Sequence, residues 1–248
     1  MNMLKVSWSK TLVDPVDTCL KLNKEIEKKK LAIYTWGNVS TKFGEKDIII
    51  KPSGIPFKKI KKDDMSQVNI KSGKLISGKK ESVDTLIHLE IYRAFPETRS
   101  VIHTHSTYAT CFAQARKEIP ILGTTHADYF KGIIPVAEQV ALSDSIKMET
   151  LIGRSIVEKA GSFCNDDEFV KAVLIPSHGP IIWSKKVENI IEYAVVLEEV
   201  ARLAFLTLSL SPSIKPDNKD SEIFDFHFTR KNGKGKYYGQ TVWKTRDT

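Results

Sequence analysis

Apolar positions along the chain recur at helical spacing in some stretches and run contiguously or in alternation in others, and the two patterns take turns. In residues 15–29, Cys19, Leu22 and Ile26 follow a helical spacing behind Asp14-Pro15, a cap followed by the residue best suited to open a helix. Short extended stretches come next at 34–42 and 47–51, the second with an unbroken Ile48-Ile49-Ile50 centre that predicts a strand covered on both faces. Pro52-Ser53-Gly54 reads as a turn, and 66–70 and 74–77 as short strands around Ser72-Gly73. Residues 84–94 carry an apolar helical stripe at Ile87, Ile91 and Ala94, widened by Leu86 and Phe95 and ended by Pro96. A strand at 100–103, a small-residue helix at 108–116, a two-part strand at 172–176 and 180–183, and a long apolar-faced helix at 187–208 complete the pattern. Beyond it the chain reads as a polar tail, with 211–221 as a loose tether. The expectation is a mixed α/β chain, 1–248, forming one domain.

Composition narrows this. With 248 residues, 41% hydrophobic, 27% charged, 13 Gly and 10 Pro, the chain has the make-up of a folded globular protein and not of a disordered or collagenous one. The most apolar window, 194–210, is interrupted by Glu198, Glu199 and Arg202, which argues against a membrane span; residues 1–10 lack a signal-peptide core, so a cytoplasmic location is expected. Cys19, Cys111 and Cys164 have neither the number nor the spacing of a disulfide framework or a thiolate metal cage, and are expected to be reduced and mostly buried. The net charge of +8 concentrates at 21–30 and 58–62, where no aromatic residues interleave with the lysines. That pattern predicts solvated faces and attraction of a small anion, with no nucleic-acid partner.

Candidate chemistry centres on histidine. His103-Thr104-His105 ends an apolar strand, and alternation by two puts both imidazoles on one face. His178, in Pro176-Ser177-His178-Gly179-Pro180, ends another. Three neutral imidazoles with one open position suit a catalytic divalent cation, zinc above all, and Asp84, four residues before His88 on a helix, can add an oxygen ligand. His88 and His126 are read as ordinary core or surface histidines satisfied by local hydrogen bonds, and His227 is left open. Gly37-Asn38 and Ser53-Gly54 are small-residue turns able to cradle an anion, with Lys51 as a nearby cation and Ser82 at a helix start; each also has a plain reading as a turn or cap.

Taken together, Thr35-Trp36-Gly37-Asn38-Val39-Ser40, Lys51-Pro52-Ser53-Gly54, Ser82-Val83-Asp84-Thr85, His103-Thr104-His105-Ser106, Gly123-Thr124-Thr125-His126-Ala127-Asp128-Tyr129-Phe130, Ser177-His178-Gly179-Pro180, Val196-Leu197-Glu198-Glu199-Val200-Ala201 and Lys236-Tyr237-Tyr238-Gly239-Gln240 occur in an order that resembles the class II aldolase and adducin head domain family. Within that family the likeness is to the branch of L-ribulose-5-phosphate 4-epimerases. The resemblance implies a three-layer α/β fold, with a central, largely antiparallel sheet between helical layers, and a homotetramer with active sites shared between subunits. It implies zinc, or another divalent metal, on His103, His105, His178 and Asp84. A sugar phosphate would be bound by Gly37, Asn38, Lys51, Ser53, Gly54, Ser82 and Val83, the last standing where these epimerases carry a second serine. The resemblance also implies proton-transfer roles for Asp128 and Tyr238, and a tail at 222–240, including His227 and Arg230, that completes a neighbour's site. The activity implied is inversion of L-ribulose 5-phosphate at C4 to D-xylulose 5-phosphate by breaking and remaking a C–C bond. The alternative is aldol cleavage of a related sugar phosphate such as L-fuculose 1-phosphate.

Overall fold

A computed structural model describes residues 14–163, 171–215 and 218–233. Helix α1 (Pro15–Lys28) opens as its sequence predicts, with the Asp14 carboxylate accepting from the Val16 N–H at 2.8 Å. Seven strands follow: β1 (Asn38–Phe43), β2 (Asp47–Ile50), β3 (Ser66–Asn69), β4 (Leu75–Ser77), β5 (Ser100–His103), β6 (Lys171–Ile175) and β7 (Gly179–Ser184). They form one sheet in the order β4-β3-β2-β1-β5-β7-β6, every neighbouring pair antiparallel.

The contiguous apolar runs are explained by helices on both faces. On one side, Val39, Ile49, Ile102, Leu174 and Ile182 pack with α1, α3 (Thr107–Gln114) and α6 (Ile190–Leu210). On the other, Ile48, Ile50, Val101, Val173, Ile181 and Trp183 pack with α2 (Thr85–Ala94) and α5 (Met148–Phe163). Adjacent residues thus alternate between two cores, so Ile48-Ile49-Ile50, Val101-Ile102 and Ile181-Ile182-Trp183 are apolar on both faces. The lysine runs lie where solvation was expected: Lys21, Lys28, Lys29, Lys30, Lys58, Lys59, Lys61 and Lys62 are exposed. Among the described residues no helix is long and apolar enough to cross a membrane.

Several local expectations change. Residues 34–37 are not strand but a turn, with Tyr34 at φ 55° and Gly37 at φ 72°, so β1 starts at Asn38. The two-part strand is two antiparallel strands, β6 and β7, folded back through a turn in which Ser177 has φ 58°. The long helix starts at Ile190, not 187. The polar tail contains a further helix, α7 (Asn218–Asn232), that buries Phe224 and Phe228 one turn apart and packs on the short α4 (Thr124–Tyr129). Cys19 is buried but Cys111 is exposed, and Cys164 lies outside the described residues, as does Tyr238.

Candidate functional site

The site forms where three strand ends meet. In the β1–β5 pairing Asn38 is opposite His103, and in the β5–β7 pairing His103 is opposite Ile181, so the end of β5 lies between the loop before β1 and the turn before β7. The chain leaves the sheet after His103, so strand alternation does not carry His105. Instead the His105 N–H donates to the Leu31 carbonyl at 3.2 Å, turning its side chain back toward His103. Helix α3 then begins, its Tyr108 and Ala109 N–H groups donating to the Glu198 carboxylate at 2.9 and 3.1 Å. An acid on the apolar stripe of α6, one turn after Ala194, is therefore the anionic partner of a helix N-terminus. Its place on that stripe is the signal that could have found it in the sequence.

His103, His105 and His178 converge, with one potential ligand nitrogen from each lying within 4.8 Å of the others. His103 Nε2 and His105 Nε2 are 3.1 Å apart, and the His178 ring lies 4.6 and 4.9 Å from the other two ring centres. His103 Nδ1 is 2.9 Å from the Pro180 carbonyl, which can only accept, so Nδ1 carries the proton and Nε2 offers its lone pair to the cluster. Burial pushes the pKa values of His103 and His105 below the usual imidazole range, and the other imidazoles add to this against the opposing pull of Asp84. Three converging imidazoles, one ring already oriented by a backbone carbonyl, are a donor set that fits a divalent cation.

Asp84 stands at the N-cap of α2, near enough to His103 and His178 for its charge to interact with theirs. Its Oδ2 accepts from Asn38 Nδ2 at 2.6 Å, and the same amide donates to Ser82 Oγ at 3.1 Å. Burial raises the Asp84 pKa, but His103, His88 and the Asn38 amide outweigh this and hold the carboxyl below its ordinary value. Asn38 Oδ1 remains buried with no partner among the described residues. The Pro52 turn joins the same region: the Ser82 N–H donates to the Lys51 carbonyl at 3.1 Å, and the Ser53 N–H to the Lys80 carbonyl at 2.9 Å. Lys51 is only 2% exposed, and its ammonium donates to the Thr35 carbonyl at 2.9 Å and more weakly to Pro52 O at 3.5 Å. Burial pushes its pKa down to about 8, against the attraction of Asp84. The lysine thus ties the loop before Gly37 to the turn before Gly54. Val83 is 66% exposed and supplies no hydroxyl, and Trp36, half exposed, rests 5.6 Å from the His105 ring centre.

Asp128 lies on α4 against α7 of the same chain: its Oδ1 is 3.2 Å from His227 Nδ1, and Arg230 Nη2 donates to that nitrogen at 3.0 Å. The resemblance places His227 and Arg230 at a neighbour's site; within one chain they sit on its own Asp128. His126 has an ordinary structural explanation, buried with Nε2 at 2.8 Å from the Gly132 carbonyl. His88 does not, because its Nδ1 meets Ser40 Oγ at 2.8 Å while its Nε2 is buried without a partner among the described residues.

Gly37 gives a first test of how tightly the site is built. A Cβ there would stand 2.7 Å from the His103 carbonyl oxygen, on a backbone with φ 72°. Gly54 has nearly the same φ, 69°, with nothing within 4 Å of a Cβ. Gly54→Ala should therefore destabilise by the conformational penalty alone, about 1–2 kcal/mol. Gly37→Ala must also push β5 away from its place beside Asn38, so it is expected to lower the urea midpoint clearly more and to weaken metal binding. Equal midpoints for the two variants would show that the 2.7 Å approach is absent in solution.

The buried imidazoles set a pH dependence. Burial holds His88 and His126 at about 4 in the folded chain, against an ordinary 6.5, and holds His103 low as well. Below pH 6.5 the unfolded chain therefore binds more protons than the folded one. The stability these groups contribute is present above pH 6.5 and is lost as pH falls toward and through about 4, at about 1.4 kcal/mol per unit of depression. The metal-free protein is expected to lose Tm steadily from pH 7 to 4.5, with a shallower slope in His126→Gln. A Tm that holds or rises over that range would contradict the buried neutral state.

A family model described as class II aldolase and adducin N-terminal domain matches residues 17–205. Among solved structures, an L-fuculose 1-phosphate aldolase is 23% identical, covering 88% of this chain and 97% of its own, with a TM-score of 0.72. An L-fuculose 1-phosphate aldolase from Glaciozyma antarctica PI12 is 18% identical over 88% of this chain and 85% of that one, TM-score 0.65. A sugar-phosphate aldolase from Thermotoga maritima is 19% identical over 82% and 97%, TM-score 0.62. At these identities the likeness establishes a shared fold.

Proposed function

The chain belongs to the class II aldolase and adducin N-terminal domain family, and from that premise we propose that it is a zinc-dependent enzyme that epimerises L-ribulose 5-phosphate at C4 to D-xylulose 5-phosphate. The observation that carries the proposal is the convergence of His103, His105 and His178 beside the Asn38–Asp84–Ser82 group. A divalent cation held by the three imidazoles, with Asp84 beside them, would supply Lewis-acid stabilisation of negative charge on the substrate's C2 and C3 oxygens.

The chain's own residues account for the rest. C4 of a 2-ketopentose 5-phosphate is not acidic, so its inversion requires the C3–C4 bond to break. The C4 hydroxyl gives its proton to a base and its oxygen becomes the carbonyl of glycolaldehyde phosphate. The C–C electron pair stays with the three-carbon fragment as an enediolate. The aldehyde turns, the bond re-forms on its other face, and the new alkoxide takes a proton from an acid on the opposite side. We assign the two proton-transfer positions to Asp128 and to Tyr238 supplied by a neighbouring subunit of a homotetramer. The Ser53–Gly54 turn, Ser82 and the backbone around Gly37 and Val83 bind the phosphate, while Lys51 fixes the two loops that carry them. Asn38, buried and donating to both Asp84 and Ser82, holds these two residues where the substrate is bound.

Aldol cleavage is the second reading, compatible with the fold shared with an L-fuculose 1-phosphate aldolase. Asp84, where family aldolases place a glutamate, and the His126-Ala127-Asp128 segment, which they lack, support the epimerase. The test is a coupled assay of zinc-loaded and chelated protein on L-ribulose 5-phosphate beside L-fuculose 1-phosphate. Xylulose 5-phosphate formation that needs zinc supports the proposal. Release of dihydroxyacetone phosphate from L-fuculose 1-phosphate, without epimerisation, would replace it with the aldolase.

A further inference from the structure

We propose that His88 is a positioning residue for this site: with Ser40 and Tyr92 it locks α2 against β1 immediately behind the Asn38–Asp84 pair, and so sets where Asp84 and Ser82 stand. The inference rests on the metal and sugar-phosphate reading of the site, which it extends to a residue outside the ligand set.

The contacts form a seam of two registers. Asn38 and Ser40 are two apart on β1 and leave the same face of the strand. Asp84, His88 and Tyr92 are four apart in turn, one above another along a single face of α2 and its cap. The two rows meet in order: Asn38 Nδ2 donates to Asp84 at 2.6 Å, Ser40 Oγ is 2.8 Å from His88 Nδ1, and the Tyr92 hydroxyl is 3.1 Å from Ser40 Oγ and donates to the Ser40 carbonyl at 3.1 Å. Ser40 and His88 are fully buried and Tyr92 almost so, inside an interface otherwise made of Ile48, Ile50, Ile87, Ile91 and Val101. A polar seam at such a place defines the axial position of a helix, because sliding α2 along β1 would break every contact at once.

His88 is also an expensive residue for mere packing. Its Nε2 is buried without a partner among the described residues, which costs stability that a leucine would not lose. Among the described residues the ring's one hydrogen-bond contact is Nδ1 with Ser40 Oγ at 2.8 Å, so the seam alone fixes its orientation.

The test uses the full chain with Ser40→Ala, Tyr92→Phe and His88→Phe. His126→Gln serves as a control that removes a buried imidazole outside the seam. Metal-free proteins are titrated with Co(II) and read by visible absorption, and the side-chain amide exchange of Asn38 is followed by 15N NMR without metal. Ser40→Ala and His88→Phe are expected to weaken Co(II) binding about 10- to 100-fold, to shift its bands and to speed Asn38 amide exchange, with His126→Gln changing none of these. Ser40→Ala and Tyr92→Phe keep the imidazole and remain informative if His88→Phe does not fold. Variants that lose stability yet keep wild-type Co(II) affinity and Asn38 exchange would overturn the inference. If His105→Asn binds Co(II) as well as the wild type, the metal reading of the site fails instead. Asn38 exchange then decides alone: faster exchange in Ser40→Ala upholds the seam, and unchanged exchange removes it.

Discussion

His105→Asn is expected to abolish stable metal binding and to lower turnover on the order of 10³-fold or more, while leaving the fold intact. The side chain of His105 is half-buried, and among the described residues its one hydrogen-bond contact is His103 Nε2 at 3.1 Å. What positions the residue is its backbone N–H on the Leu31 carbonyl, which asparagine retains. The substitution therefore removes a candidate ligand nitrogen and its contact with His103 while keeping the backbone bond that holds the residue in place. Losing Lewis-acid assistance worth several kcal/mol corresponds to the rate loss given. Metal analysis after dialysis, with circular dichroism and a urea midpoint beside it, checks the result. Full activity, or undiminished zinc content, would remove the three-imidazole group from the mechanism.

The second large effect concerns proton transfer. Asp128→Asn keeps the size of the side chain but cannot take up a proton, so epimerisation should fall about 10²- to 10⁴-fold with zinc content unchanged. Tyr238→Phe, which removes only a hydroxyl, should behave in the same way. These two variants separate chemistry from assembly, since neither touches a metal ligand. They also test how sites are shared. If the tail of one chain completes its neighbour's site, mixing inactive Tyr238→Phe and inactive His105→Asn subunits should restore activity. About one quarter of the sites in a random one-to-one tetramer would then combine an intact metal group with an intact tyrosine. In the chain itself α7 already rests on α4, with His227 and Arg230 at Asp128, so an intrachain site is the specific competitor. No recovery in verified mixed tetramers would establish that competitor and withdraw Tyr238 from its neighbour's site.

Much of this was legible in the linear pattern. Ile48-Ile49-Ile50 predicted a strand covered on both faces, and its side chains do divide between two cores. The Asp14-Pro15 start, the turns at glycine and the helical stripes of α1, α2, α3 and α6 needed only local reading, because capping, backbone freedom and amphipathic spacing act over a few residues. The histidine motifs at strand ends were legible for the same reason. Helix α7 was missed although Phe224 and Phe228 are correctly spaced, because its many charged neighbours dilute the apolar signal until α4 supplies a surface to cover.

The sequence by itself determined which segments form elements, which faces they bury, and that three histidines end or follow apolar strands. Only the tertiary structure decided what those residues meet. The order β4-β3-β2-β1-β5-β7-β6 puts Asn38 opposite His103 and brings the turn bearing His178 to the end of β5, across separations that no local spacing encodes. The same packing turned Lys51 inward onto backbone carbonyls, gave Asp84 to Asn38, and aligned His88 with Ser40. Element type follows from interactions within a few residues, whereas partnership between buried polar groups is set by strand order and helix register, where burial leaves each donor few acceptors within reach.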